Sequence, residues 1–95
     1  MEGFNVTYRV HAIQRMFERN VSATDVLEVL RHGQVVQDYP DDTPHPSKLL
    51  MGKTANRVKH VVVAENHVDK EIITITVYEP DPLKWEPGFL KKRPQ

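Results

Sequence analysis

The stretch HAIQRMFER, residues 11 to 19, places His11, Arg15 and Arg19 at four-residue intervals. On a helix this spacing returns each residue to nearly the same side. That side is either a solvated polar face, with Glu18 within reach of Arg15, or an anion site. In the second case the guanidinium forks grip a phosphate in bidentate geometry, and His11 supplies or accepts the proton.

Three other groups of residues carry chemistry of their own. His60 interrupts the apolar run RVKHVVVAE, where a histidine serves either as a hydrogen-bonded structural group or as a proton carrier. In TVYEPDPLKW, the side chains of Tyr78, Glu79, Asp81, Lys84 and Trp85 cluster where a strand gives way to prolines. Strand exits of this kind commonly carry binding groups, and an equally good reading has Trp85 covering a core edge. In YPDDTPHPSK, Asp41, Asp42 and His45 are ligand types for a metal, yet proline and aspartate are first of all turn residues, and the turn is the favoured reading. The end of the chain adds Lys91, Lys92 and Arg93, a local basic patch on a chain of zero net charge.

Composition narrows the classes of function. The chain has 95 residues, enough for one small domain, with a core about 8–80 and a proline-rich basic tail about 81–95. Lys plus Arg and Asp plus Glu each number 13, so the formal net charge is zero, which argues against a strong non-specific nucleic-acid binder. With no cysteine, disulfides and thiolate metal sites are excluded. The longest apolar run is VVVA at 61–64, far short of a membrane span, and MEGFNVTYRV lacks the form of a signal peptide. A cytoplasmic location without a membrane partner is expected. No GxSxG, Walker or GxGxxG motif is present, and neither a cofactor nor a metal is called for.

The positioning elements follow from periodicity. Residues 8–19 read as a helix whose apolar stripe is Val10, Ile13, Met16 and Phe17, with Asn20 as its stop. Ser22 and Asp25 form a capping-box pattern for a second helix, with Val21 and Val26 as its hydrophobic staple. Val26, Leu27, Val29 and Leu30 make its buried stripe, and Gly33 ends it. QVVQDY, SKLLMGK, RVKHVVVAE and EIITITVYE read as four strands, the last two pairing antiparallel across a short loop. The expected architecture is α+β: two N-terminal helices packed on a four-stranded, mostly antiparallel sheet. Trp85 and Phe89 are expected to pin the tail, leaving its basic end free.

Taken in order, His11-Ala12, Arg15, Glu18-Arg19, SATDV, the YPDD loop, PSKLLMG, HVVVA and ITVYEPDP resemble the prokaryotic DUF4258 family of domains of unknown function over about residues 8–88. That family is similar to the plasmid-toxin superfamily of RelE, ParE and BrnT, which are small α+β proteins with helices on an antiparallel sheet. Many of these cleave messenger RNA, and genes for DUF4258 proteins often sit beside one for a small antitoxin-like protein. The resemblance therefore implies an RNA-directed endoribonuclease of a toxin–antitoxin pair, with RNA and a small antitoxin protein as partners. Basic catalytic residues in RelE lie on strands and at the C-terminal end, where only Tyr78, Lys84 and Lys91–Arg93 fall comparably here. The balanced charge departs from the usual basic toxin.

On this reading the catalytic candidates are His11, Arg15, Arg19, His60 and Tyr78, and the RNA-binding candidates are Lys84, Lys91, Lys92 and Arg93. A non-catalytic protein- or RNA-binding module is the alternative, with the same polar face acting as an interface.

Overall fold

A computed structural model describes residues 3–94. The chain runs β1 (Asn5–Tyr8), α1 (Val10–Arg19), α2 (Ala23–His32), β2 (Gln34–Tyr39), β3 (Ser47–Thr54), β4 (Arg57–Asn66) and β5 (Glu71–Tyr78). One sheet contains all the strands in the order β1-β5-β4-β3-β2.

The fold remains α+β with two helices, but the expected four-stranded, mostly antiparallel sheet is corrected to a five-stranded mixed one. The additional strand is β1, which pairs parallel to β5 from Asn5↔Glu71 to Tyr8↔Thr74. Pairing continues for one residue, as Arg9 N donates to Thr74 O at 3.0 Å. Helix α1 therefore starts at Val10 rather than Tyr8, with extended Arg9 before it and no side-chain cap. Four residues are too few to show a strand's alternation, and their partner lies near the far end of the sequence. The other four strands form an antiparallel meander.

Local chemistry explains the remaining boundaries. Asn20 ends α1 in the left-handed conformation, φ 55°, which asparagine tolerates. Ser22 Oγ accepts from Asp25 N at 3.1 Å, while Ser22 N donates to Asp25 Oδ2 at 2.9 Å, so the capping box is complete. The Ser22 amide also holds the Asp25 carboxyl below its ordinary pKa. Ala55 and Asn56 turn β3 into β4 with φ of 50° and 63°, both left-handed.

The helices cover one sheet face. Val21, Val26 and Val29 pack there on Leu50, Val61, Val63, Ile72 and Val77, all buried. Burying a side chain of this size stabilises by about 1.5–3 kcal/mol. Helix α2 lies so close to β3 that a Cβ on Gly52 would meet Val29 Cγ2 at 2.8 Å. Gly33 does end α2, but with φ −73°, so left-handed freedom is not its reason. A Cβ there would stand 2.4 Å from Val29 O.

Helix α1 departs from its expected orientation. It packs along β5 through Ala12, which is fully buried, and through half-buried Met16. Val10, Ile13 and Phe17, expected to face the core, are 71%, 54% and 89% exposed. The small alanine lets the helix approach the sheet closely, and the larger apolar residues turn outward.

Candidate functional site on the helix-free sheet face

Because Val61 and Val77 point toward the helices, their neighbours His60 and Tyr78 point to the opposite face, directly across from each other in the β4–β5 register. His60 Nε2 lies 2.8 Å from Phe89 O, and Nδ1 lies 3.1 Å from the Tyr78 hydroxyl. A carbonyl only accepts, so Nε2 carries the proton and the Tyr78 hydroxyl donates to Nδ1. Trp85 meets the imidazole edge-on at 4.5 Å between ring centres. His60 is fully buried, and this desolvation pushes its pKa down, opposed in part by the Phe89 carbonyl. Burial, followed by nearby Tyr39, pushes the Tyr78 pKa up.

The segment beyond β5 is thus folded back over His60. Trp85 is buried and bridges to Lys92, whose ammonium sits 5.9 Å over the indole ring. Arg93 N donates to Lys84 O, and Arg93 Nε donates to Pro82 O at 2.9 Å. The basic end expected to be free is held through the Arg93 amide and guanidinium and through Lys92 over the indole. Lys84, Lys91, Lys92 and Arg93 still present much of their surface to solvent.

His11 occupies a different part of the molecule from the His60–Tyr78 pair. It is exposed at a cavity of about 300 Å³ lined by Arg9, Asp42, Thr43, Pro44 and His45, with Ala64 and Ile75 beneath. Asp42 shapes the loop: its Oδ1 accepts from Thr43 N at 2.9 Å, and its Oδ2 accepts from Ser47 Oγ at 2.6 Å. This carboxylate braces a turn and leaves His45, half-buried, at the cavity wall.

Arg15 and Arg19 do not line that cavity. Arg15 pairs with Glu18 at 3.1 Å, and Arg19 lies about 12 Å along the helix from His11. The Arg19 carbonyl accepts from Arg57, which also pairs with Glu79. The arginine that lines the cavity with His11 is instead Arg9, and His45 lines the same cavity. Sequence reasoning passed over Arg9 as a catalytic candidate and weighed His45 only as a metal-type ligand. The one available signal was its position between two prolines, in a loop whose path only the sheet determines.

A second cavity, about 610 Å³, continues along the same face beside Asp38, Tyr39, Asp41, Val62 and Ile75. It shares Asp42 and Ile75 with the first. The helix-free face is therefore a groove with an apolar floor, Arg9, His11 and His45 at one end, and carboxylates at the other. Among the described residues, no helix is long and apolar enough to cross a membrane.

No curated protein and no solved structure matches this chain. A family model described as a domain of unknown function, DUF4258, matches residues 8–79, which include both helices and the strands β2 to β5 that build the groove. The chain belongs to the DUF4258 family.

Proposed function

We propose that the protein is an RNA-directed endoribonuclease whose phosphodiester site is the cavity of Arg9, His11 and His45. The observation that carries this reading is the presence of two histidines and an arginine on one cavity, supplied by the start of α1 and the 40–46 loop. Cleavage by the RNA 2′-hydroxyl needs a base to take its proton, an acid to protonate the departing 5′-oxygen, and a cation for the charge that builds on phosphorus. His11 and His45 serve as the proton carriers, and Arg9 as the cation. The 2′-oxygen bonds to phosphorus as the P–O5′ bond breaks, leaving a cyclic phosphate and a free 5′-hydroxyl. The resemblance to RelE-, ParE- and BrnT-like toxins supports this reaction class and a small antitoxin protein as the controlling partner.

His60 and Tyr78 then act as positioning residues. Both imidazole nitrogens are occupied, and the ring is sealed beneath Trp85 and the Phe89 backbone.

The test is induced expression in a bacterial host, followed by growth measurement and mapping of new RNA 5′ ends. Growth arrest with discrete ends, lost in folded His11→Ala and His45→Ala variants, is the expected result. Intact RNA, or full cleavage in both variants, refutes it. A second reading, a non-catalytic module that binds a small protein partner, is favoured by one observation, the outward apolar stripe of Val10, Ile13 and Phe17. On that reading a complex forms without RNA turnover.

A further inference from the structure

The part of the groove beside Tyr39 has features the cleavage chemistry does not use. Its floor is apolar, formed by Val62 and Ile75, and the Tyr39 ring at its side is 46% exposed. Tyr39 lines this cavity together with Val62 and Ile75, so an accessible aromatic residue borders the apolar floor. A flat apolar floor with an accessible aromatic ring suits a nucleobase, which binds by stacking and by hydrogen bonds along its edge.

The rim selects among bases. Both oxygens of Asp42 are engaged within its own loop. Asp38 and Asp41 line the same cavity, and their carboxylates form no hydrogen bond or ion pair among the described residues. Ionised carboxylates only accept, so they favour an edge that presents donors and disfavour one that presents lone pairs. Guanine alone among the four RNA bases offers two adjacent donors, N1–H and the N2 amino group, which match the two oxygens of one carboxylate. Adenine and cytosine pair one amino donor with a ring-nitrogen acceptor, and uracil flanks its single N–H with two carbonyls.

We propose that this second cavity is a guanine subsite, and that it places the guanosine's own phosphate at Arg9, His11 and His45. The inference rests on the reading of that neighbouring cavity as a phosphodiester site, since Asp42 and Ile75 line both cavities and make them adjacent. The ligand class is a guanosine phosphate within single-stranded RNA, with the base over Val62 and Ile75 and its donor edge toward Asp38 or Asp41.

The experiment is a titration of the full chain, followed by amide NMR shifts, with inorganic phosphate, guanosine and each of the four nucleoside 3′-monophosphates. The guanine nucleotide is expected to bind at least tenfold more tightly than the other three and to shift Tyr39, Val62 and Ile75. An Asp38→Asn/Asp41→Asn double variant should lose this preference while still binding phosphate. Both side chains are exposed and unpartnered, so the variant is expected to fold. Phosphate binding at Arg9, His11 and His45 with all four nucleotides alike overturns the guanine subsite and leaves the phosphodiester reading standing. Guanosine binding at Tyr39 without phosphate binding removes the phosphodiester reading and keeps the base site. Absence of all binding overturns both.

Discussion

His60→Ala tests the account of how the C-terminal segment is held. The substitution removes the donor to Phe89 O at 2.8 Å and the acceptor for the Tyr78 hydroxyl at 3.1 Å. Each such bond contributes about 1 kcal/mol net, and Phe89, being only half-buried, recovers part of its loss from water. The edge-on contacts with Trp85 and Tyr78 add roughly 0.5–1.5 kcal/mol each. The total comes to about 3–4 kcal/mol, a large share of the roughly 5–14 kcal/mol expected for a domain of this size. The melting temperature should fall by roughly 15–25 °C. Trp85 is the only tryptophan, so its fluorescence reports on this segment directly. Urea titration followed by both fluorescence and circular dichroism separates release of the segment from global unfolding. An unchanged midpoint and an unshifted Trp85 spectrum would show that His60 does not hold the segment.

The same contact gives a pH dependence. Burial lowers the folded-state pKa of His60, so its contribution is fully present above the unfolded value of about 6.5 and is lost as pH falls through the lowered folded value. Urea midpoints should therefore decline as pH falls below about 6.5, and His60→Gln should flatten this slope; an equal slope in both proteins contradicts the assignment. Gly52→Ala forces a methyl against Val29 Cγ2 and Cα, and a loss of about 1–3 kcal/mol by chemical denaturation is expected. Ala55→Gly relieves a left-handed alanine at φ 50° and should stabilise by about 1 kcal/mol, read as a higher urea midpoint.

The two ends of the groove differ in how much the sequence disclosed. His11 stood out because its spacing from Arg15 and Arg19 is a helix repeat, and α1 does place it at the start of that helix. Its cavity neighbours are of another kind. Arg9 is brought there by the parallel pairing of β1, and His45 by a loop braced through Asp42 and Ser47. Neither relation leaves a trace in local spacing. Tyr39 closes an edge strand and gains interest only because Val62 and Ile75 lie beside it on the helix-free face.

What the sequence by itself determined is local. The capping box at Ser22 and Asp25, the left-handed stop at Asn20 and the alternating Val, Ile and Thr runs each specify their structure within a few residues. The tertiary structure decided the rest. Only pairing across the chain makes Asn5–Tyr8 a strand, and only close packing on β5 turns Ala12 inward and Phe17 outward. The fold of the C-terminal segment over His60 is likewise invisible until β4 is in place, because its main hydrogen bond joins residues 60 and 89. Capping and alternation act over a few bonds and can be read from spacing. Register, helix facing and cavity walls depend on contacts between distant segments, and no short-range pattern encodes them.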